Sequence, residues 1–335
     1  MRRDRIAPTI LNKTQKAVFD TEFHRSEGLS VPLIQRALRP GITFAREHLE
    51  RRIREVVNAA CSNHQEVQRS IVNQYLMFKG QGIIPYNNIS DAGFRVYSEF
   101  EEDGIILYIL SMVGFKSKRV VEMCCGSGDE CMATNLILNH GFDGYLFDGN
   151  QANISAANRF FSVQKDCFAY PPVLTNVWIT AENVNDLLTR SGCAGEVDLF
   201  SLDMDGNDYW IWNAIEAINP RLLVLETHNG IPSDKSLTIE YRADFDSSWS
   251  KTGAERGYRS ASLLAMQRLC KRRGYRMIGA HRHGFNVFFL REDEGVHFFP
   301  EVSIDEIHNN FASQSHQRNW PLLKDMPWQE VEINR

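Results

Sequence analysis

Seven short apolar runs of strand length recur along the chain from residue 119 onward. The first five alternate with segments of helical periodicity, which is typical of a parallel α/β sheet with right-handed crossovers. The last two are separated only by a short loop that contains His281 and His283, so they predict an antiparallel hairpin at the sheet edge. We expect these two histidines to face solvent. The predicted strands lie at residues 119–123, 144–147, 177–180, 197–202, 222–226, 276–280 and 286–290.

A helical pattern precedes these strands. Between residues 43 and 78, apolar side chains recur at spacings of three to five, which is an amphipathic helical signature. An acidic run at residues 99–103 then leads into an apolar helix that ends near Gly114, and acidic residues favour a helix N-terminus electrostatically. The face at residues 43–78 either packs on its own domain, forms a homo-oligomer interface, or caps the active site.

These patterns divide the chain into three parts. Residues 1–94 form an N-terminal arm and helical extension, residues 95–295 form the main α/β domain, and residues 296–335 form a C-terminal tail. Within the main domain, residues 231–258 form a long insertion, and a loop of this length is usually functional or mobile. We expect this insertion either to form a lid over a substrate or to be anchored to the body of the domain. Its aromatic residues are Tyr241, Phe245, Trp249 and Tyr258.

Composition and charge narrow the function. With 335 residues, of which 43% are hydrophobic and 24% charged, the chain can bury one large α/β core with an extra layer. Its net charge of -5 provides no broad basic field, so we expect no nucleic-acid partner. Its seven cysteines lack paired Cys-x-x-Cys spacing, which indicates reduced thiols. No signal-peptide core follows the basic start, and no segment approaches the roughly 18 apolar residues of a membrane span, so we expect a cytoplasmic protein.

A glycine-bearing turn follows the first predicted strand, in the segment Glu122-x-Cys124-x-Gly126-x-Gly128. A parallel strand that ends in such a turn brings backbone N–H groups and a helix N-terminus up to a ligand. Asp148 ends the next apolar run, at the spacing from which a carboxylate can hold ribose hydroxyls. The pattern therefore predicts a nucleotide-type cofactor. It approximates the dinucleotide fingerprint of nicotinamide enzymes, although a cysteine, at position 131, stands where the third Gly or Ala of that fingerprint belongs.

Downstream residues favour a different cofactor. With Cys124 in place of the usual first glycine, the turn resembles the first motif of S-adenosylmethionine-dependent methyltransferases. With four other segments it resembles the FkbM-like members of that group, over roughly residues 95–292. The resemblance implies a Rossmann-like methyltransferase sheet whose seventh strand is antiparallel, S-adenosylmethionine as cofactor, and O-methylation of a hydroxyl on a sugar or small-molecule natural product. The segments that carry it lie at residues 99–106, 121–136, 144–150, 201–212 and 284–291.

The resemblance implies that the cofactor lies against residues at the ends of the first three strands, where ligands of open α/β sheets bind. Glu122 either meets the ammonium of the cofactor's amino-acid end or is a buried carboxylate held by backbone N–H groups. Gly126 either lets the backbone approach the cofactor or is a simple turn glycine. Asp148 accepts hydrogen bonds from the ribose, and the loop after the third strand lies beside the adenine. The full set of cofactor-binding candidates is Glu122, Gly126, Gly128, Asp148, Glu182 and Asn183.

The segment after the fourth strand carries the catalytic candidates. Asp203 and Asp205 alternate along the chain and so face the same side, towards the methyl-transfer region. One of them can act as a base towards an acceptor hydroxyl. Alternatively, Asp203, Asp205 and Asp208 can bind a divalent metal ion, and their hard oxygen ligands favour Mg²⁺ over zinc. His228, after the fifth strand, is a second candidate base because its unperturbed pKa is about 6.5.

Two other functions fit the same residues. One is a NAD-dependent oxidoreductase that uses the same glycine turn, and the other is a non-catalytic Rossmann-like scaffold that binds partners through residues 43–78. Binding of S-adenosylhomocysteine, of NAD, or of neither would separate the three. Near the turn, Cys125 and Cys131 are expected to behave as small buried hydrophobic residues.

Overall fold

The structure, a computed structural model, describes residues 65–247 and 254–331. Seven of the strands in these ranges form one sheet, in the order β3-β2-β1-β4-β5-β8-β7, and the short strands β6 and β9 pair separately. The strands are β1 (Arg119–Met123), β2 (Asp143–Asp148), β3 (Val173–Asn176), β4 (Gly195–Leu202), β5 (Ile218–Glu226), β6 (Leu237–Thr238), β7 (Tyr275–Ala280), β8 (Asn286–Arg291) and β9 (Gln329–Glu330).

The first five strands are parallel to one another, and the last two strands of the large sheet form a hairpin. Strand β8 pairs antiparallel with β5 on one side and with β7 on the other, so β7 forms the edge of the sheet. The predicted α/β class and antiparallel hairpin are therefore confirmed. The hairpin adds to the parallel strands to give a seven-stranded mixed sheet, and the separate β6–β9 pair was not predicted.

The prediction for the third strand is wrong. Residues 177–180 have no strand structure, and β3 lies just before them, paired with β2 from Tyr145 to Asp148. The backbone N–H of Val177 donates to the carbonyl oxygen of Asp148, where β2 ends, so no partner remains for a longer strand. The error arises because β3 is a partly exposed edge strand without an apolar run, whereas the residues after it are β-branched and aromatic.

Helices cover both faces of the sheet. Helix α2 (Glu102–Val113) is buried from residue 102 to residue 112, as expected for a helix that is apolar on nearly all sides, and its predicted end is confirmed by the C-cap at Gly114. Helix α1 covers residues 65–81 of the described chain. The other helices are α3 (Thr134–His140), α4 (Gln151–Ser162), α5 (Val184–Arg190), α6 (Asp208–Ala214), α7 (Ala254–Gly257), α8 (Leu263–Arg272), α9 (Ile304–His308), α10 (Phe311–Gln317) and α11 (Trp320–Leu323).

Alternate residues of the strands pack into two hydrophobic clusters on opposite faces of the sheet. In β1, Val120 belongs to the cluster that contains apolar residues of α2, α3 and α4, and Val121 belongs to the cluster with those of α5, α6 and α8. Because both faces are covered, the central strands are apolar on both sides, which is why the sequence shows them as continuous runs. The carboxyl-terminal edge of the strands is left for ligands.

A buried ion network fixes the sheet away from that edge. Arg221 of β5 is 0% exposed and donates to Glu294 at 2.7 and 2.8 Å and to Asp198 of β4 at 2.7 Å. Lys116 pairs with Glu294 at 2.6 Å. Removing one partner of such a buried pair typically costs about 3–5 kcal/mol, because the other charge is left without compensation. The network therefore ties β4 and β5 to the segment that follows β8.

Helix α1 includes part of the amphipathic segment predicted at residues 43–78, whereas residues 43–64 lie outside the described ranges. Gln68 and Tyr75 are buried against the domain, so part of the helix packs on its own domain. Val67 and Met77 are 59% and 64% exposed, and a homo-oligomer interface on that side stays a prediction. Within residues 65–247 and 254–331, no helix is both long enough and apolar enough to cross a membrane.

Candidate functional site

Polar residues gather at the carboxyl ends of the parallel strands. Strand β2 ends at Asp148, Asp203 follows β4, and β5 ends at Glu226. The glycine turn at residues 124–128 follows β1. Because neighbouring parallel strands point the same way, these four positions share one edge of the sheet, where ligands of open α/β sheets bind. This edge is the candidate site.

The glycine turn combines one open and one closely packed glycine. Gly126 and Gly128 both have positive φ, at 58° and 80°, and so does Cys124, at 65°. An added Cβ at Gly126 would meet nothing within 4 Å, whereas one at Gly128 would lie 2.9 Å from Phe161 of α4. Gly126 therefore leaves room for a ligand, and Gly128 allows a helix to pack. Cys124 holds a conformation that costs a non-glycine residue roughly 1–2 kcal/mol.

The side chain of Glu122 is hydrogen-bonded to the segment between the glycine turn and α3. Its carboxylate oxygens accept hydrogen bonds from the backbone N–H groups of Met132, at 3.1 Å, and Ala133, at 2.6 Å, and from the thiol of Cys131. Burial raises the pKa of Glu122 to about 7. The contacts match the second of its two predicted roles, a buried carboxylate held by N–H groups, and direct contact with a cofactor ammonium stays a prediction. Cys131 is buried, as expected.

Asp148 joins the end of β2 to the glycine turn. Its Oδ2 accepts the backbone N–H of Gly126 at 2.9 Å, and its Oδ1 accepts the backbone N–H of Asn150 at 2.7 Å. The side-chain amide of Asn153 also donates to both oxygens, at 3.2 and 3.3 Å. The residue is only 6% exposed. The predicted ribose-binding carboxylate is thus adjacent to the turn, and it also holds the local backbone in place.

The loop after β3 contains the two candidates for the adenine side. Glu182 is exposed and accepts a hydrogen bond from the Tyr241 hydroxyl at 2.6 Å, which lowers the pKa of its carboxyl group. Asn183 accepts the backbone N–H of Thr180 at 2.8 Å and donates to the carbonyl oxygen of Trp178 at 2.9 Å. Both side chains therefore shape this loop, and their contact with a cofactor stays a prediction.

A cluster of three carboxylates, from Asp203, Asp205 and Glu226, lies at the ends of β4 and β5. One oxygen from each lies within 4.8 Å of the others, which is close enough to share a metal ion. Burial raises the pKa of Asp203 well above its usual value, and the negative charges of Asp208 and Asp205 raise it further. Burial and the charge of Asp203 likewise raise the pKa of Glu226. The Asp203–Glu226 pair therefore keeps a shared proton up to a higher pH than ordinary carboxyl groups do.

Two neighbours limit the negative charge of this carboxylate cluster. Arg259 forms an ion pair with Asp205, and the hydroxyl of Ser260 donates to Glu226 at 2.9 Å. The sequence reasoning missed Glu226, Arg259 and Ser260. Glu226 could have been found from the sequence, because it is the single acidic residue that ends the apolar run at 222–226 and so ends a strand at the ligand-binding edge.

The metal set predicted from the sequence needs a correction. Asp208 is fully buried, and its oxygens accept the backbone N–H groups of Met204 and Gly206, each at 2.9 Å. Its pKa is raised to about 6 by burial. Asp208 thus shapes the loop before α6, as a carboxylate at a helix N-terminus commonly does, and Glu226 takes its place in the cluster.

The two nitrogens of His228 are already bonded. Nδ1 accepts the backbone N–H of Gly230 at 3.1 Å, and Nε2 lies 2.8 Å from the carbonyl oxygen of Gly257, to which it can only donate. Burial lowers the pKa of His228 to about 4. This arrangement argues against a role as general base, because the basic nitrogen is occupied. The prediction that His281 faces solvent is wrong: it is 2% exposed, and burial lowers its pKa to about 4.

The described part of the insertion at residues 231–258 is anchored to the loops after β3 and β4. Trp178 donates its indole N–H to the carbonyl oxygen of Ala243 at 2.7 Å, and Asn207 donates to that of Arg242 at 2.8 Å. A Cβ added at Gly206 would lie 2.6 Å from the ring of Phe245. These contacts favour the anchored alternative over a free lid. Trp249 lies outside the described residues.

Comparisons with known proteins give only distant structural similarity. No protein-family model matches the chain, and no curated protein matches it. It is similar to magnesium protoporphyrin IX methyltransferase (ChlM) from Synechocystis PCC 6803 with bound SAM, at 12% identity and TM-score 0.36, over 57% of this chain and 77% of that one. It is also similar to a S-adenosylmethionine-dependent methyltransferase from Clostridium acetobutylicum, at 11% identity and TM-score 0.34, over 54% and 86% of the two chains. It is similar to the CurJ carbon methyltransferase at 12% identity and TM-score 0.36, over 58% of this chain and 56% of that one. TM-scores this low do not by themselves establish a common function.

Proposed function

We propose that the chain is an S-adenosylmethionine-dependent methyltransferase. The observation that carries the proposal is strand β8, which runs antiparallel between β5 and β7. In the classical dinucleotide-binding sheet, the strand beside the fifth is instead a parallel sixth strand. An antiparallel strand at this place is the feature that the resemblance to methyltransferases implies, and it sets the chain apart from the nicotinamide-dependent alternative.

The residues at the glycine turn and at the end of β2 would hold the cofactor. Gly126 leaves open space beside the backbone, and the carboxylate of Asp148 is 2.9 Å from the N–H of the same glycine. Glu122 holds the start of α3 in place behind the turn. Gly128 supports the turn through helix packing, and Glu182 and Asn183 complete the adenine side in this proposal. The cofactor supplies a methyl group already activated on a sulfonium.

We assign the acceptor to the carboxylate cluster. Asp203 removes the proton of an acceptor hydroxyl, and Glu226 stabilises that proton within the pair. Burial raises the pKa of both carboxyl groups, which makes each of them a stronger base than an ordinary carboxylate. Asp205 forms an ion pair with Arg259, so we assign the proton transfer to Asp203 rather than to Asp205. Alignment of the acceptor in a water-poor pocket supplies much of the remaining catalysis.

Hydroxyl-bearing sugars or small natural products are the acceptor class that we propose. Aromatic side chains of the insertion, including Tyr241 and Phe245, adjoin the loops at this edge and can stack on a sugar ring. The same three carboxylates also fit Mg²⁺, because they offer hard oxygen ligands within 4.8 Å of one another. A divalent ion is therefore the second candidate for neutralising the cluster.

Titration calorimetry with S-adenosylhomocysteine and with NAD tests the proposal. We expect S-adenosylhomocysteine to bind with micromolar affinity, and NAD to bind far more weakly. Preferential binding of NAD would contradict the proposal in favour of an oxidoreductase. Binding of neither would favour a non-catalytic scaffold. Transfer of isotope-labelled methyl from the cofactor to a panel of hydroxylated sugars then tests the acceptor class.

A further inference from the structure

We propose that Trp178 is the platform on which the adenine of S-adenosylmethionine stacks. This inference rests on the proposed function and adds to it a residue that positions the cofactor. Trp178 lies two positions after the end of β3, in the loop that leads to Glu182. Trp178 is 51% exposed, although burying so large an apolar side chain is normally favourable.

The indole lies beside the proposed ribose site. A Cβ added at Gly149 would be 3.0 Å from Cε3 of Trp178, so the ring is packed directly over this glycine. Gly149 follows Asp148, the residue assigned to the ribose hydroxyls. Because the adenine is attached to the same ribose, a ring over Gly149 is within reach of the base. Any side chain at position 149 would have to push the indole away.

The ring is also fixed in orientation. The indole N–H of Trp178 donates to the carbonyl oxygen of Ala243 in the insertion. The backbone carbonyl oxygen of Trp178 accepts a hydrogen bond from the side chain of Asn183. Tyr241 braces the same loop, because its hydroxyl accepts the backbone N–H of Ala181 at 3.0 Å and donates to Glu182. A ring held at one edge, with half of the residue exposed, is a preformed surface for a flat aromatic ligand.

Calorimetry with two ligands tests this inference. S-adenosylhomocysteine carries the adenine, whereas S-ribosylhomocysteine has the same ribose and amino-acid groups without it. Trp178→Ala should weaken binding of S-adenosylhomocysteine roughly 5- to 150-fold, which is the usual range for loss of base stacking, and should leave S-ribosylhomocysteine unaffected. Trp178→Phe, which keeps a ring but loses the N–H, should bind close to wild type. Tyr170→Ala, which removes an aromatic residue that is 83% exposed before β3, is the matched control.

The outcomes separate this inference from the proposed function. If the wild-type chain does not bind S-adenosylhomocysteine, both fail. If the wild type binds it but Trp178→Ala loses affinity for neither ligand, or for both equally, only the role of Trp178 is overturned. A loss in Trp178→Phe as large as that in Trp178→Ala would assign the effect to the N–H bond rather than to stacking. Quenching of indole emission by S-adenosylhomocysteine should be smaller in Trp178→Phe than in the wild type, and quenching of unchanged size would also contradict the inference.

Discussion

The carboxylate of Asp148, at the end of β2, accepts a hydrogen bond from the backbone N–H of Gly126, in the turn after β1, at 2.9 Å. Its other oxygen accepts the N–H of Asn150, and the residue is only 6% exposed. The same side chain therefore shapes the turn and is the proposed ribose ligand. Stability and cofactor affinity should both depend on it.

Replacing Asp148 tests both dependences. Asp148→Ala should lower the unfolding free energy by about 1–3 kcal/mol, because two backbone N–H groups lose their acceptor. It should also weaken S-adenosylhomocysteine binding by about 1.5–3 kcal/mol for each charge-assisted hydrogen bond lost. Urea denaturation and calorimetry measure the two effects. Asp143→Ala, at the exposed start of the same strand, is the control. A folded Asp148→Ala variant with wild-type affinity would show that the ribose lies elsewhere.

The carboxylate cluster should control turnover rather than cofactor binding. Asp203→Asn should lower kcat by roughly 100-fold or more, which is the usual contribution of a general base, and leave S-adenosylhomocysteine affinity nearly unchanged. Wild-type activity should rise with pH through the raised pKa of the pair. Asp205→Asn removes a negative charge that raises the pKa of Asp203, so this pKa should fall and the rise of kcat with pH should move to lower pH. A pH profile of kcat measures the shift. Glu196→Gln, at the far end of β4, is the control.

Metal removal distinguishes proton sharing from cation binding at the same carboxylates. We expect dialysis against EDTA to leave turnover intact, because the shared proton and Arg259 already reduce the negative charge. Added Mg²⁺ should then have no effect on rate or melting temperature. Loss of activity in EDTA that Mg²⁺ restores would reassign Asp203, Asp205 and Glu226 as metal ligands.

His228 should contribute to structure rather than to proton transfer. His228→Gln should leave the pH dependence of kcat in place, because the basic nitrogen of the wild-type ring already accepts from Gly230. It should lower the unfolding free energy by about 1–2 kcal/mol through loss of the bond to Gly257. Kinetics between pH 5 and pH 8 provide the check. If His228→Gln showed a large fall in kcat and its kcat no longer changed with pH between about 6 and 7, His228 would again be the candidate base.

Glu122 should make stability depend on pH. Its folded pKa of about 7 lies above its usual value of 4.5, so the folded state holds the proton more tightly. This contribution is complete below about pH 4.5 and is lost as the pH rises towards 7, by up to about 3 kcal/mol. Glu122→Gln cannot titrate, so its stability deficit relative to wild type should shrink between pH 5 and pH 7.5 in urea titrations. A deficit that grows over this range would contradict the raised pKa.

The central strands could be predicted from the sequence because burial on both faces makes them apolar throughout. The bounds of β1 match the prediction, and β2, β4, β5, β7 and β8 differ from theirs only at the ends. The edge strand β3 was misplaced because partial exposure removes the apolar signal on which the prediction depends. The pairing of β6 with β9 joins residues far apart in the chain, and nothing local encodes it.

The site was predictable only to the level of strand ends. Asp148 and Asp203 follow apolar runs, and parallel strands bring such ends together. Glu226 was missed because its proximity to Asp203 depends on the register that pairs Leu202 with Leu225. The bonding of His228 to Gly257 depends on a contact across the insertion, which local sequence does not specify.

The ion network around Arg221 lies away from the carboxylate cluster, and the two regions of the sheet differ in how their charges are balanced. Around Arg221, every charge has a partner, and a single substitution there threatens the whole fold. At the carboxyl-terminal edge, like charges crowd together, which is the local frustration expected where binding outweighs stability. A substitution in the carboxylate cluster should therefore cost the fold less stability than one at Arg221, because it relieves repulsion between like charges.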